Sequence, residues 1–126
     1  MKYFLTLLLS LFFLTSFAEQ PSFMSLGPKE GLWEALEYYN IHNKEIVYAQ
    51  AVLETGHFKY TNNNNLFGIK SGKHYRKFKH WSESVEAYKN LIQSRHKPGE
   101  NYYHFLERIR YAEAKAYTRL LRQIAK

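Results

Sequence analysis

The chain has 126 residues, with 18 Lys and Arg against 11 acidic residues, a net charge of +7, 17% aromatic residues and no Cys. Without cysteine there is no disulfide and no thiolate metal site, so stability must come from packing, to which the aromatics contribute. The positive balance suits an anionic partner, whether nucleic acid, an anionic membrane or an anionic wall polymer. Every acid is Glu, which shortens the search for catalytic carboxylates.

Residues 1–18 read as a secretory signal. Lys2 supplies the positive end, Leu5 to Phe17 an apolar run, and Ser16-Phe17-Ala18 a small-x-small cleavage pattern before Glu19. A membrane-crossing helix needs about 20 apolar residues, and this run falls short; an uncleaved anchor is the alternative. Cleavage leaves residues 19–126, enough for one domain around one core. Export disfavours a nucleic-acid partner. The mature chain is expected to act as a monomer with no transmembrane segment.

Gly27-Pro28 opens the first predicted helix, with Glu30 in its first turn and Leu32, Trp33, Leu36 and Tyr39 as its apolar stripe. On that stripe Trp33 reads as core rather than as a sugar platform. Asn43 is positioned to cap a second helix that runs to Gly56, with Ile46, Ala49 and Leu53 forming its apolar patch and Glu54 at the patch's edge. Four asparagines, Asn62 to Asn65, mark a structured turn, because Asn tolerates left-handed backbone and bonds its own main chain. Leu66 to Lys70 and Tyr75 to Lys79 then flank a Gly-containing loop as a small basic hairpin. Ser82 is the expected cap of a third helix, which carries Glu83 and Glu86 in its first turn and ends by Pro98-Gly99. Asn101 caps a short fourth helix. Ala112 to Lys126 is predicted as the last, with Ala116, Leu120 and Ile124 as its stripe.

The six His show no HExxH and no i, i+4 pair on a helix, there is no GxSxG or Asp to orient a base, and GxxxxGK does not occur. No metal or other cofactor is expected. Carboxylate chemistry remains. Glycoside hydrolysis needs a protonated acid near the leaving oxygen and often a second carboxylate. Glu54 is the best acid by environment, at a helix C-terminus whose partial negative charge raises a carboxyl pKa, with Phe58 and Phe67 close in sequence. Read from the residues alone, Glu54 is equally open to being an ordinary surface glutamate, which the rarity of buried Glu favours. Glu83 and Glu86 are the nearest downstream acids and serve either as ionised partners or as simple helix-dipole residues.

The segments AQAVLETG, NNNNLFGIK and FKHWSESVEAYKNLI, in that order and followed by Tyr111-Ala112, resemble the glucosaminidase domain of bacterial peptidoglycan hydrolases. The resemblance covers most of residues 19–126. It implies an α+β, mainly α, lysozyme-like helical domain with a small β-hairpin lobe. The implied activity is cleavage of the β-1,4 bond between N-acetylglucosamine and N-acetylmuramic acid in the periplasm or extracellular envelope, with peptidoglycan glycan strands as partner. It assigns the general acid to Glu54, a cleft border to Asn65, Leu66, Phe67 and Gly68, and an approach to acid and sugar to Tyr111. Tyr60, Tyr75 and Trp81 are candidate sugar-stacking residues and equally candidates for the core. The chain departs from the family in having no carboxylate between Glu54 and Glu83, and in reading Glu113-Ala114-Lys115 where Thr-Asp-Pro is usual. A distant base such as Glu83 or Glu86, the sugar's own 2-acetamido group, or glycan binding without turnover are the routes left open.

Overall fold

The computed structural model describes residues 19–113 and 115–125; the expected signal segment, residues 1–18, lies outside them. Among the described residues are five α-helices and one two-stranded hairpin: α1 (Pro28–Tyr38), α2 (Lys44–Glu54), β1 (Lys70–Ser71), β2 (His74–Tyr75), α3 (Trp81–Leu91), α4 (Tyr102–Arg108) and α5 (Ala116–Ile124). The fold is therefore mainly helical with a small β-lobe, as expected. One core of Phe23, Leu32, Leu36, Val47, Leu66, Phe67, Val85, Tyr88, Phe105 and Leu121 joins all five helices, and α2, which carries Glu54, packs against α1 and α5.

Pro28 starts α1, where its missing N–H costs nothing. The buried stripe is Gly31, Leu32, Ala35 and Leu36. Trp33 falls one position past that stripe and is 40% exposed, a correction to its expected place in the core; its ring meets Tyr48 edge-on, with Lys44 Nζ 5.9 Å above it. A helical glycine is usually a weakness of about 0.5–1 kcal/mol. At Gly31 it makes room, because a Cβ there would stand 2.9 Å from Trp81 Cζ2. The Trp81 indole fills that space and donates to the Leu26 carbonyl at 2.9 Å.

The ends of α1, α2 and α4 share one motif. In each, the residue after the C-cap takes left-handed backbone (Asn40, Gly56 and Arg110), and the next N–H turns back to the helix: Ile41 to Leu36, His57 to Val52, Tyr111 to Leu106. The predicted Gly56 stop is thus observed, and Glu54 is the last helical residue before it. The same motif at the end of α4 sets where Tyr111 enters the core.

Three capping and facing expectations are corrected. Asn43 occupies the N-cap position of α2 but is left-handed and makes no side-chain cap. The cap of α3 is His80, not Ser82: His80 Nδ1 accepts from the Ser82 N–H at 3.1 Å, and its Nε2 donates to the Met24 carbonyl at 3.1 Å. That carbonyl can only accept, which fixes the tautomer and leaves Nδ1 free to cap. In α5 the buried residues are Tyr117 and Leu121, one position on from the expected stripe, and Leu120 is 37% exposed. Asn101 caps α4 as expected, accepting from the Tyr103 and His104 N–H groups.

The hairpin is shorter than predicted, with Lys70 opposite Tyr75 and Ser71 opposite His74. One further backbone bond, Arg76 N–H to the Ile69 carbonyl at 2.9 Å, extends it, and a side chain reinforces that end. Asn65 Oδ1 accepts from Ile69 N–H at 3.0 Å, and its Nδ2 donates to the carbonyls of Ile69 at 2.8 Å and Arg76 at 3.0 Å. Asn63 and Asn64 are left-handed, and Asn64 Nδ2 reaches the Phe78 carbonyl at 3.0 Å. The asparagine run is a structured turn held by its own amides.

Candidate active site

Glu54 stands on a buried line of α2 rather than at its edge: Val47, Gln50 and Ala51 precede it at helical spacing, and all three are fully buried. One turn further it emerges into a cleft. Glu54 is exposed, yet partial loss of solvation raises its pKa above the ordinary carboxylate value. Position at a helix C-terminus acts in the same direction.

The opposite wall is the backbone at Gly68. Its φ is +64°, and a Cβ there would lie 3.0 Å from Glu54 Oε2 and 3.9 Å from the Tyr75 ring. Only glycine combines that conformation with that approach. Asn65, by clamping Ile69 and Arg76, holds the loop in place; at 9% exposure its amide is occupied within the loop and is not presented to a ligand.

Two tyrosines close the inner side. The Tyr117 hydroxyl lies beside the Glu54 carboxyl and partly opposes the effect of desolvation on it. Tyr111 stacks on Tyr117 with ring centroids 5.7 Å apart, but its hydroxyl donates to the Phe67 carbonyl. The approach expected of Tyr111 is therefore divided between two residues, since Tyr111 braces the Gly68 loop and Tyr117 lies beside the acid. Burial raises the pKa of both phenols, keeping them neutral donors.

The remaining candidates separate into two groups. Tyr75 is 56% and Tyr60 63% exposed; Tyr75 faces Gly68 across the cleft, and the Tyr60 ring lies 3.2 Å from where a Gly56 Cβ would stand, just beyond Glu54. Both present an exposed aromatic ring. Phe67 and Trp81 are 1% and 4% exposed and belong to the core: Phe67 packs on Tyr88 at 4.6 Å, and Trp81 sits over Gly31. Neither ring is open to a sugar. Glu83 and Glu86 line a separate groove with Arg76, Phe78 and Asn90, and Glu86 acts on Tyr39. None of Glu54, Gly68 and Tyr117 lines that groove.

Two residues escaped sequence reasoning. Tyr117 was covered by an assumed alanine-leucine stripe, although its spacing from Leu121 marks the same face. Gln50 precedes Glu54 by one helical turn and reads as an ordinary polar residue, yet it is fully buried and donates to Tyr117 at 3.3 Å. Glu113 shares with Tyr117 a pocket of about 730 Å³ between α4 and α5.

Chemically, the surface around Glu54 holds a carboxyl whose pKa is raised, a neutral phenol beside it and two exposed aromatic rings, each with a lysine amine over it. Among the described residues no three His or acidic side chains converge as a metal site, and no helix is long and apolar enough to cross a membrane. The sequence profile of the glucosaminidase family, described as mannosyl-glycoprotein endo-beta-N-acetylglucosaminidase, matches residues 29–126. This span takes in all five helices, the hairpin and every candidate residue. A search of the curated proteins found no match. The family is one of glycan-cleaving peptidoglycan hydrolases, which implies an envelope location. By a match over most of its length, the chain belongs to the glucosaminidase family.

Proposed function

We propose that the protein is an exported peptidoglycan hydrolase that cleaves the β-1,4 bond between N-acetylglucosamine and N-acetylmuramic acid, with Glu54 as general acid. The observation that carries this reading is the environment of Glu54, a partly desolvated carboxyl with raised pKa against the bare backbone of Gly68. A protonated Glu54 gives its proton to the glycosidic oxygen as the bond from that oxygen to the anomeric carbon breaks. The exposed rings of Tyr60 and Tyr75 supply stacking faces for the sugars on either side.

The base is not assigned to a side chain. Glu83 and Glu86 line a separate groove and no carboxylate lies between Glu54 and Glu83 in the chain, which favours attack by the sugar's own 2-acetamido group over a two-carboxylate mechanism. The same observation supports a second reading, a peptidoglycan-binding module without turnover. Digestion of defined muropeptides followed by mass spectrometry separates them: new reducing ends on N-acetylglucosamine, lost in Glu54→Gln, support hydrolysis at the stated bond. Reducing ends on N-acetylmuramic acid overturn the bond assignment. Retention of sacculi with equal inactivity of wild type and variant leaves the binding module.

A further inference from the structure

A continuous chain of hydrogen bonds runs through the core behind Glu54, and the direction of every link follows from its far end. Gln93, 4% exposed, pairs with the backbone of His42: its Oε1 accepts from the His42 N–H at 3.1 Å and its Nε2 donates to the His42 carbonyl at 2.7 Å. A backbone N–H can only donate and a carbonyl can only accept, so the Gln93 amide has one possible orientation. Its second Nε2 proton then goes to the Tyr102 hydroxyl at 3.1 Å. Having accepted there, Tyr102 gives its own proton to Tyr88, 2.6 Å away. Tyr88 in turn donates to Gln50 Oε1, which orients the Gln50 amide, and Gln50 Nε2 donates to the Tyr117 hydroxyl at 3.3 Å. Tyr117 is left with one proton to give, and the Glu54 carboxyl lies beside it.

The reverse orientation fails at a definite place. Turning the Gln50 amide over would make Tyr88 donate to Tyr102 and Tyr102 donate to Gln93 Nε2, which has no acceptor capacity. A buried polar group left unpaired loses its solvation without return, so the backbone pairing of Gln93 is enforced along the whole chain.

We propose that Gln93 and Gln50 are positioning residues whose directed hydrogen-bond chain makes Tyr117 an obligate donor to Glu54. Two consequences follow for the acid, and their catalytic use rests on the reading of Glu54 given above. The Glu54 oxygen that accepts from Tyr117 is the carbonyl oxygen of the protonated acid, so the transferable proton sits on the other oxygen. Once that proton has left, the carboxylate remaining is already hydrogen bonded, which lowers the barrier to giving it up. The other titratable groups at Glu54 are Tyr111, and Tyr75 across Gly68 with Lys70 over its ring at 5.1 Å.

The test is the titration of the Glu54 carboxyl by carbon NMR in the full chain, with the resonance identified by its loss in Glu54→Gln. Removing the donor in Tyr117→Phe is expected to move the Glu54 midpoint to higher pH. Tyr102→Phe, which removes one remote hydroxyl and frees the Gln50 amide to turn, is expected to move it the same way by less. In the Tyr117→Phe background the Tyr102→Phe shift disappears, a non-additivity that a general loosening of the core does not produce. An unchanged midpoint in folded Tyr102→Phe, or a shift that persists in the double variant, overturns the proposal. In the wild type, contacts from the Gln50 Nε2 protons to the Tyr117 ring and not to Tyr88 are expected in nuclear Overhauser spectra; the reverse pattern overturns it without any variant. None of these measurements needs turnover, so an inactive wild type or an active Glu54→Gln defeats the proposed function and leaves the chain's direction still decided.

Discussion

Glu54 and Glu100 are the same side chain in opposite surroundings. Glu100, in the loop before α4, receives Arg108 Nε at 2.7 Å and Nη2 at 2.8 Å, and these bonds lower its pKa to about 2. Glu54 has no cation on it, loses solvent, and is raised. The first arrangement holds a charge that it never needs to release. The second discourages the charge and keeps a proton available, which is a requirement of an acid and a cost to the fold.

That contrast can be broken at four points. Glu54→Gln is expected to lower hydrolysis by about 10²- to 10⁴-fold, the usual contribution of general acid–base catalysis, in reducing-end release. The same variant should melt higher than wild type at neutral pH. The folded-state pKa lies above the ordinary carboxylate value of 4.5, so the folded protein binds more protons in the interval between and loses stability as pH rises through it. Below pH 4.5 the difference between variant and wild type should vanish.

Gly68→Ala places a Cβ 3.0 Å from Glu54 Oε2 at a φ of +64°. Displacing the acid is expected to cost about 10²-fold in kcat, while the left-handed conformation costs about 1–2 kcal/mol in urea denaturation. Asn65→Ala leaves the Ile69 N–H without its buried acceptor; a loss of about 1–3 kcal/mol is expected, with the Glu100 resonance unmoved. The smallest effect is that of Glu100→Gln, which should leave hydrolysis unchanged. Its folded pKa is depressed, so the stability that it contributes is present above the ordinary value of 4.5 and lost as pH falls toward about 2. Melting temperature followed through that window should slope in wild type and flatten in the variant.

What the sequence disclosed was local. Gly56 as a helix stop, Asn101 as a cap and the left-handed asparagines each follow from one residue's own backbone preferences, and the position of Glu54 followed from them. What it concealed depends on partners distant in the chain. His80 becomes a cap because the Met24 carbonyl fixes its tautomer. Trp81 enters the core because Gly31 leaves space and Leu26 offers a carbonyl. Tyr117 stands at the acid together with Tyr111, whose hydroxyl is held by the Phe67 carbonyl. A shift of one position separates Ala116 and Leu120 from Tyr117 and Leu121, and periodicity in a short helix does not distinguish them.

The Asn65 clamp has a consequence for how such a cleft can vary. Because the Asn65 amide reinforces the backbone bond from Arg76 N–H to the Ile69 carbonyl, the base of the hairpin is closed twice, and a change of length at the Gly72 tip is expected to reach Gly68 and Glu54 only through that base and Tyr75. Reach toward the substrate is therefore coupled to placement of the proton donor at those points alone, and a short lobe on this fold is a difference in grip rather than in the acid itself.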